Sequence, residues 1–503
     1  MPNHLIDALR APGAAARAFI ETPDGTVLTF AEAERRTAQY AHALVALGLK
    51  PGDRLALQVE KSVEAVFVYL ATVRAGGVFL PLNTAYTPPE VAYFLGDAQP
   101  AIFVCDPAAE VALAPIAAAQ GVGQVVTLDG EGQGTLRAAA DACRTSFADV
   151  PRRPDDLAAL LYTSGTTGRS KGAMLTHANL ASNAQALVEA WRFTADDVLI
   201  HALPIFHTHG LFVAINVTLA AGSSMIFLPK FDPELILTLM GRASVLMGVP
   251  TFYVRLLKSP NLTAEAAAGM RLFISGSAPL LAETHRAWRA ATSHAILERY
   301  GMTETGMNTS NPYDGARLAG TVGFPLPGVE LRVVAPESGE ALGAGEIGMI
   351  EVRGPNVFQG YWRMPEKTAA EFHDGWFVTG DLGLIGPDGY VQIVGRGKDL
   401  VISGGYNVYP KEIETEIDAL PGVVESAVIG LPHPDFGEGV TAVVVARPDA
   451  ALDEKSVIDA LEHRLARYKL PKRVIFLDDL PRNTMGKVQK NLLREQYKAM
   501  FGG

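Results

Sequence analysis

The sequence predicts an α/β protein with a separately packed C-terminal unit, and three observations lead to this prediction. First, 503 residues exceed what one hydrophobic core holds, so roughly two to four packed units are expected. Second, from about residue 25 to about residue 350, helical windows alternate with short apolar runs, which is typical of parallel sheets covered by helices. Third, antiparallel strand patterns and then a separate small α/β pattern follow toward the C-terminus.

The alternating part of the chain contains two clear helical windows, at residues 30–47 and 176–191. Short strands are predicted at residues 54–59, 101–104, 124–127, 223–228, 244–247 and 272–275. The most apolar long window, residues 211–228, is interrupted by Asn216, Gly222 and two serines. We therefore interpret it as a buried helix followed by a buried strand, not as a membrane span.

The C-terminal third has a different pattern. Strands are predicted at residues 328–335, 345–353, 425–430 and 441–447. The stretch "LGLIGPDGYVQIVGR" (residues 382–396) indicates a hairpin around a Pro-Asp-Gly turn. Four apolar residues, Val457, Ile458, Leu461 and Leu465, form one face of a later helix. We predict a boundary that separates an N-terminal domain of residues 1–397 from a C-terminal domain of residues 398–503.

Composition excludes several functional classes. Lys plus Arg is 43 and Asp plus Glu is 54, so the net charge is −11 and nucleic acid is not an expected partner. Cys105 and Cys143 lack metal-ligand spacing, which predicts reduced thiols rather than a zinc site or a disulfide framework. The first residues lack a continuous apolar run, so no secretory leader is expected. These features predict a cytoplasmic protein that does not act in a membrane.

The run "YTSGTTGRSKG" (residues 162–172) concentrates hydroxyls, glycines and cations directly after an apolar strand pattern. Backbone N–H groups of a glycine-rich turn, together with hydroxyls, can surround phosphate oxygens, and a lysine adds a positive charge. The order of residues differs from the kinase-type phosphate loop, and a strand pattern, not a helix, follows the lysine. The predicted phosphate-binding residues are Thr163, Ser164, Gly165, Thr166, Thr167, Gly168 and Lys171.

This loop and five further motifs resemble the adenylate-forming superfamily of acyl-CoA synthetases, peptide-synthetase adenylation domains and luciferases. The further motifs are "FHTHG" (206–210), "YGMTET" (300–305), "WFVTGD" (376–381), "GRGKDLVISGGYNVYPKEIE" (395–414) and "PRNTMGK" (481–487). Within the superfamily the chain most resembles malonyl-CoA synthetases of the MatB type. The resemblance implies a large N-terminal region of two α/β sheets plus a small β-barrel-like subdomain, and a small mobile α+β C-terminal domain.

The resemblance also implies a two-step reaction. A carboxylate, here malonate with methylmalonate as a further candidate, reacts with ATP in the presence of Mg²⁺ to give acyl-AMP and pyrophosphate, and coenzyme A then displaces AMP. The alternatives are a synthetase for another short carboxylate, a luciferase-like oxygenase, a carrier-loading adenylation domain and a nucleotide sensor. The sensor is disfavoured because Lys171, Glu304, Asp381, Arg396 and Lys487 are all present.

Residues for the first step follow from the resemblance and from its charge requirements. Two anions must approach each other, so cations and oriented donors are needed. Lys487 is expected to contact the α-phosphate and the carboxylate, and it is also a candidate for acetylation by a lysine acetyltransferase. Thr303 is expected to donate to the α-phosphate, and Glu304 to ligate Mg²⁺ through oxygen. His207 is expected to gate and shape the acyl pocket.

The nucleotide itself is expected to lie at the end of the predicted sheet. Tyr300 should stack on adenine, and Asp381 should accept the ribose hydroxyls with help from Arg396. Ser277 and Ala278, in "SGSAPL", should lie at the strand end beside the nucleotide.

The second step requires a rotation of the C-terminal domain. The resemblance makes Lys398 the hinge. It places Ser403, Gly404 and Gly405 beside the pantetheine arm of coenzyme A, where glycines leave room for it.

The acid substrate is predicted from Arg299, which directly precedes Tyr300. A buried arginine beside an apolar pocket is costly unless an anion pairs with it, and the second carboxylate of malonate supplies one. The alternative is that Arg299 pairs with Glu298 or another acid and does not contact substrate. Arg255 is a second candidate that fits a solvated helix face equally well, and Thr208 and Met307 are expected to line the pocket.

Overall fold

The structure is a computed structural model that describes residues 2–163, 170–403, 406–462, 464–483 and 486–502. Seven predicted site residues lie outside the described residues: Ser164, Gly165, Thr166, Thr167, Gly168, Gly404 and Gly405. Within the described ranges, no helix is both long and apolar enough to cross a membrane. Cys105 and Cys143 are free thiols.

The helices and strands up to residue 163 alternate as predicted. The helices are α1 His4–Leu9, α2 Phe30–Ala46, α3 Val63–Arg74, α4 Pro88–Ala98, α5 Glu110–Ala119 and α6 Thr135–Asp141. The strands are β1 Ala18–Glu21, β2 Val27–Thr29, β3 Arg54–Gln58, β4 Val78–Pro81, β5 Ile102–Cys105, β6 Gln124–Thr127 and β7 Leu157–Thr163. Thr29 begins α2 because its side chain accepts from the Glu32 backbone N–H, while the Glu32 side chain returns the contact in a capping box.

The alternation continues to residue 325. The strands are β8 Lys171–Thr176, β9 Val198–His201, β10 Ser224–Phe227, β11 Val245–Gly248, β12 Leu272–Ser275, β13 Leu297–Met302, β14 Gly306–Ser310 and β15 Phe324–Pro325. The helices are α7 His177–Ala190, α8 Asn216–Ala221, α9 Pro233–Leu239, α10 Pro250–Leu256 and α11 Ala282–Thr292, with a π-helix at His209–Ile215 and a 3₁₀ turn at Met240–Arg242. The buried helix and strand predicted for residues 211–228 are confirmed, with a π-helical first half.

Two large sheets carry this part of the chain. In the order of the described strands, the first is β6-β5-β3-β4-β7-β8 and the second is β2-β1-β10-β9-β11-β12-β13-β14-β15. Strands β7, β4, β3, β5 and β6 are parallel in the first sheet, and β1, β10, β9, β11, β12 and β13 are parallel in the second. Most of these strands are buried apolar runs, which suits sheets covered on both faces.

The remaining strands form two smaller sheets. Residues 330–396 contain β16 Glu330–Val334, β17 Gly348–Arg353, β18 Gly360–Tyr361, α12 Pro365–Ala370, β19 Phe372–His373, β20 Trp376–Ile385 and β21 Val391–Arg396. Strand β18 joins the first large sheet beside β8, whereas β16-β17-β20-β19, with β21 on β20, form an antiparallel sheet. This is the small subdomain that was expected, and its described strands make an open sheet.

The last part of the chain has its own sheet and core. Its elements are a 3₁₀ turn Gly397–Asp399, β22 Val401–Ser403, β23 Tyr406–Val408, α13 Pro410–Asp418, β24 Val423–His433, β25 Gly437–Ala446, α14 Glu454–Glu462, a 3₁₀ turn Arg467–Lys469, β26 Arg473–Leu477 and α15 Lys490–Tyr497. The order is β23-β22-β25-β24, with β26 parallel to β25. The predicted α+β character is confirmed, and the boundary at residues 397 and 398 stays a prediction.

A buried ion pair joins the amino ends of the second large sheet. The Asp197 carboxylate accepts from Arg271 Nε at 2.6 Å and Nη2 at 2.7 Å, and from Ser244 Oγ at 2.7 Å. Asp197 precedes β9, Ser244 precedes β11 and Arg271 precedes β12, so one carboxylate holds three neighbouring strand starts. Its side chain is only 4% exposed.

We expect Asp197→Asn to lower the free energy of unfolding by about 3–5 kcal/mol, because it leaves the Arg271 guanidinium without its anion. Urea unfolding followed by tryptophan fluorescence measures the change. Glu330→Gln is the control, since the Glu330–Arg353 pair is exposed to solvent and should contribute far less to stability. Equal losses in both variants would contradict the role given to burial.

Candidate active site

The carboxyl ends of β9, β11 and β12 meet at one edge of the second large sheet, where ligands of open α/β sheets bind. The loop after β12 is unusual there. Ser277 has a φ of 71°, a left-handed conformation that costs a non-glycine residue free energy. A Cβ on the preceding Gly276 would lie 2.3 Å from Cζ of Arg299. The loop therefore passes directly over the Arg299 guanidinium, and any side chain at position 276 would force the guanidinium to move.

Arg299 is a buried cation, with 3% of its surface exposed. Its Nε and Nη2 atoms have no hydrogen-bond partner within the part of the chain that the structure describes. Burial lowers the pKa of Arg299 to about 9, although Tyr253 and Glu298 act in the opposite direction. Such a position is costly unless an anion arrives, so it suits a site for an anionic ligand.

Glu298 does not pair with Arg299. The two residues are neighbours in β13, and neighbours in a strand point to opposite faces of the sheet. Glu298 Oε1 accepts the backbone N–H of Leu280 at 3.0 Å, and Oε2 has no partner among the described residues. Burial raises the pKa of Glu298 to about 7. The alternative interpretation, an Arg299–Glu298 ion pair, is therefore wrong.

The motif "FHTHG" lies beside Arg299. The backbone N–H of His209 donates to Nδ1 of His207 at 3.3 Å, and His209 Nδ1 lies 3.3 Å from Ser277 Oγ. Burial first, then the cations Arg299 and Lys487, lower the pKa of His207 to about 4, so this imidazole is neutral at pH 7. Thr208 is buried, and its hydroxyl has no partner in the described residues. The neutral ring suits pocket shaping more than storage of a proton.

A second group of residues lies on the β20–β21 side. Asp381 in β20 accepts from the Tyr300 hydroxyl at 2.6 Å and from Arg396 Nε at 2.7 Å. Asp381 and Arg396 are direct partners in the antiparallel pairing of β20 and β21. The structure thus brings together three residues that were predicted separately, and the Tyr300–Asp381 hydrogen bond was not foreseen.

Glu304 lies in the turn between β13 and β14 and is 6% exposed. Its Oε1 is 3.0 Å from the Tyr361 hydroxyl, which is also 2.7 Å from Glu371 Oε2. Lys171 Nζ contacts Glu371 Oε1 at 3.2 Å and stands 4.1 Å from the centre of the Tyr361 ring. Burial raises the pKa of Glu304. Sequence reasoning missed Tyr361 and Glu371, because "GYWRMPEKTAAEF" carries no motif that points to this contact.

The phosphate-loop candidate begins and ends at adjacent strand ends. Thr163 at the end of β7 and Lys171 at the start of β8 are Cα partners. Ser170 is held by a hydrogen bond from the Tyr93 hydroxyl to its carbonyl oxygen, at 2.7 Å. The described ends of the loop are therefore fixed next to Tyr361 and Glu304, in agreement with a role in phosphate binding.

Lys487 reaches this site from the C-terminal part of the chain. It follows Gly486, whose φ of 74° is left-handed and whose added Cβ would lie 3.1 Å from Thr251 at the start of α10. Part of the Lys487 side chain is exposed to solvent. Desolvation of its ammonium, followed by repulsion from Arg396, lowers its pKa, while Asp381 acts in the opposite direction. Lys487 also lowers the pKa of His207. It is therefore close to both the Asp381 group and the Arg299 group.

The other predicted site residues differ in their exposure. Lys398 lies in the turn Gly397–Asp399, and partial burial of its ammonium, followed by repulsion from Arg396, lowers its pKa to about 8. Ser403 is buried at the end of β22. Met307 is buried in β14, whereas Thr303 and Ala278 are half-buried in loops.

Arg255 is separate from the buried cluster. Its side chain lies on the exposed face of α10, whose opposite face buries Phe252, Tyr253 and Leu256. A solvated helix face, the second of the two interpretations of Arg255, describes this position. The buried guanidinium next to the site is that of Arg299.

Comparison with known proteins agrees with this arrangement. The family described as "AMP-binding enzyme" matches residues 7–362, and the one described as "AMP-binding enzyme C-terminal domain" matches residues 412–487. The chain therefore belongs to the AMP-binding enzyme family, and the superfamily resemblance seen in the six motifs is confirmed.

Individual relatives are similar over almost the whole chain. A feruloyl-CoA synthase from Amycolatopsis sp is 37% identical over 477 residues, with 94% of each chain covered. A malonate–CoA ligase from Arabidopsis thaliana is 37% identical, with 90% of this chain and 79% of the relative covered. The solved structure of ATP-bound MatB from Rhodopseudomonas palustris is 64% identical, covers 100% of both chains and has a TM-score of 0.98.

The buried carboxyl group of Glu298 predicts a pH-dependent stability. Its pKa is about 7 in the folded protein and 4.5 when unperturbed, so the unfolded chain loses this proton first as the pH rises. The folded state is therefore destabilised progressively between about pH 4.5 and pH 7, and the penalty is complete above that window. We expect Glu298→Gln to gain about 2.5 kcal/mol at pH 8 relative to its own effect at pH 5, where the penalty has only begun.

Urea unfolding at the two pH values measures this difference. The exposed Glu283→Gln is the matched control, and its effect should vary by less than about 0.5 kcal/mol between them. An equal effect of Glu298→Gln at both pH values would mean that Glu298 ionises normally in the folded protein.

Proposed function

We propose that this chain is an ATP-dependent acid–thiol ligase that converts malonate, through malonyl-AMP, to malonyl-CoA with release of AMP and pyrophosphate. The observation that carries the proposal is the buried Arg299, which has no anionic partner in the described residues and lies close to His207 and Lys487. One carboxylate of malonate is activated, and the other pairs with the guanidinium through charge-assisted hydrogen bonds. The similarity to a malonate–CoA ligase and to MatB supports the same substrate.

A feruloyl-type substrate is the competing proposal, since the feruloyl-CoA synthase and the malonate–CoA ligase are each 37% identical to this chain. An uncharged aromatic tail would leave the Arg299 guanidinium buried without an anion, which is costly. The same argument disfavours a luciferase-like oxygenase and short monocarboxylates. Methylmalonate keeps both carboxylates, so whether it reacts depends on the space beside Thr208 and Met307.

In the first step the chain brings two anions together. Lys487 neutralises charge that develops at the α-phosphorus, and Thr303 and the loop after Thr163 supply hydroxyl and N–H donors. Asp381 accepts the ribose hydroxyls, while Tyr300 and Arg396 hold its carboxylate in place.

Glu304 fits a magnesium ion, because a buried carboxylate is the oxygen ligand that such a cation takes beside phosphates. The Tyr361 hydroxyl orients this carboxylate, and Lys171 lies over the Tyr361 ring. Bound there, Mg²⁺ would supply positive charge to the phosphate oxygens.

In the second step coenzyme A attacks malonyl-AMP. Lys398 acts as the hinge about which the C-terminal domain turns, which withdraws Lys487 and brings the segment from Ser403 to the site. Free coenzyme A, and not a carrier protein, accepts the acyl group, so AMP release should depend on free coenzyme A. We place the enzyme in the cytoplasm, and we propose acetylation of Lys487 by a lysine acetyltransferase as a way of removing the same charge.

We expect Arg299→Ala to lose malonate-dependent kcat/KM by about 2–5 kcal/mol, because the second carboxylate loses its buried partner. Discrimination against acetate and propionate should fall as well. AMP-release assays on the three acids measure both effects.

Arg255→Ala is the matched control, since it removes the same charge from the exposed face of α10. If Arg299→Ala still prefers malonate over the monocarboxylates, or if Arg255→Ala shows the larger loss, a residue other than Arg299 recognises the second carboxylate.

We expect Lys487→Ala to slow adenylation by about 100-fold or more, because a preorganised cation at the reacting phosphate is lost. Formation of the thioester from supplied malonyl-AMP should change by less than about tenfold, since Lys487 leaves the site for that step. Malonate-dependent exchange of pyrophosphate into ATP measures the first half-reaction. Equal losses in both half-reactions would argue against a rotating C-terminal domain.

A further inference from the structure

Lys61 is a second cation near the acyl side of the site, and neither step of the proposed reaction requires it. It lies between β3 and α3, and its Nζ is 2.9 Å from both Nδ1 and the carbonyl oxygen of His201. The ammonium also stands 4.3 Å from the centre of the Phe227 ring. Within the described ranges, Lys61 forms no ion pair with a carboxylate. Because β3 belongs to the first large sheet and His201 ends β9 of the second, this contact joins the two sheets at their carboxyl ends.

The direction of the hydrogen bonds through His201 is fixed by chemistry. His201 Nε2 lies 2.8 Å from the carbonyl oxygen of Gly210, which can only accept, so Nε2 carries the proton. In the neutral ring Nδ1 is then an acceptor, and the Lys61 ammonium must be its donor. Lys61 therefore donates a hydrogen bond to His201, and His201 donates one to the carbonyl oxygen of Gly210. Burial and the Lys61 charge lower the pKa of His201, in agreement with a neutral ring.

Gly210 occupies a crowded position in the π-helix His209–Ile215. A Cβ there would lie 2.1 Å from the carbonyl oxygen of Pro204, so the chain folds back on itself at this point. π-Helical turns are rare and are found mostly at functional sites. The residues immediately before it are His207 and Thr208, on the Arg299 side of the site. The hydrogen bond from His201 therefore holds the turn that presents these two side chains.

The position of Lys61 costs free energy that packing alone does not explain. A methionine would fill the same space beside Phe227 without desolvating a charge. The two hydrogen bonds and the aromatic contact keep the ammonium satisfied, and they do so only in the arrangement that orients His201. A half-buried lysine held by these contacts supports the turn, because its hydrogen bonds to His201 fix the orientation of that ring.

We propose that Lys61 is a positioning residue for the acid substrate: through His201 and Gly210 it fixes His207 and Thr208 against the acyl group. This inference rests on the proposed function, since it assumes that the Arg299 side of the site binds the acid. It predicts that loss of Lys61 changes KM for the acid and kcat, and that KM for ATP changes little.

The test compares Lys61→Ala and Lys61→Met with the wild-type enzyme. In both variants we expect KM for malonate to rise about tenfold or more and kcat to fall, because small misplacement of a positioned group is expensive, while KM for ATP changes less than about twofold. Lys50→Ala, an exposed lysine of the same N-terminal part, is the matched control and should behave as wild type.

Chemical rescue separates the ammonium from the packing of its stem. Lys61→Ala removes the atoms of a propylammonium ion, so added n-propylamine at neutral pH should restore malonate activity, whereas n-propanol should not. Lys61→Met keeps the space filled and should not be rescued. If Lys61→Ala does not yield folded protein, the KM values of Lys61→Met decide.

Three results would overturn the inference: an unchanged KM for malonate in the folded variants, an equal rise in KM for ATP, or equal rescue by n-propanol. Failure of the proposed function looks different. In that case the wild-type enzyme itself shows no malonate-dependent AMP release, and the variants are compared on the acid that it does activate.

Discussion

The positive charge of Arg299 is the constraint on which the architecture of the site depends. A guanidinium that is 3% exposed and lacks an anion among the described residues must be accommodated by everything around it. Gly276 has no side chain because the guanidinium occupies that space, and the left-handed Ser277 continues the loop around it. His207 stays neutral, because burial lowers its pKa and the positive charge of Arg299 lowers it further. The strain and the desolvation are tolerated because a ligand with the opposite charge can offset them.

The nucleotide side follows a different rule, because its carboxylates already have hydrogen-bond partners in the protein. Asp381 accepts from both Tyr300 and Arg396, and Glu304 shares the Tyr361 hydroxyl with Glu371. These carboxylates are therefore held in defined positions before any ligand is considered. Lys487 is the one predicted catalytic residue contributed by the C-terminal part of the chain, and its surroundings include groups from both sides of the site. The role of Lys487 therefore depends on the position of the C-terminal part of the chain relative to the site.

Helices and strands were predictable where a few consecutive residues carry the periodicity that defines them. Strands β6 and β12 occupy the predicted residues 124–127 and 272–275, and α2 and α7 match their windows to within one or two residues. The site motifs were also readable, because a lysine after a glycine-rich loop has a recognisable chemistry. Contacts made between distant parts of the chain were not readable. Tyr361 meets Glu304, and Glu371 meets Lys171, only because the fold brings distant segments together. The exposed side of Arg255 depends on which face of α10 packs.

Strand β18 shows how such a distant contact acts on the assembly of the molecule. Only two residues long, it reaches back across more than 180 positions to cover the edge of β8, and it carries Tyr361 to Glu304. During synthesis on a ribosome, which proceeds from the N-terminus, β8 emerges as an uncovered edge strand. That edge must wait for about nine to forty seconds of further translation, at roughly 5–20 residues per second, before its partner exists. The phosphate-loop region is consequently among the last parts of the first sheet to mature, and the nascent chain is most exposed to edge-to-edge association in that interval.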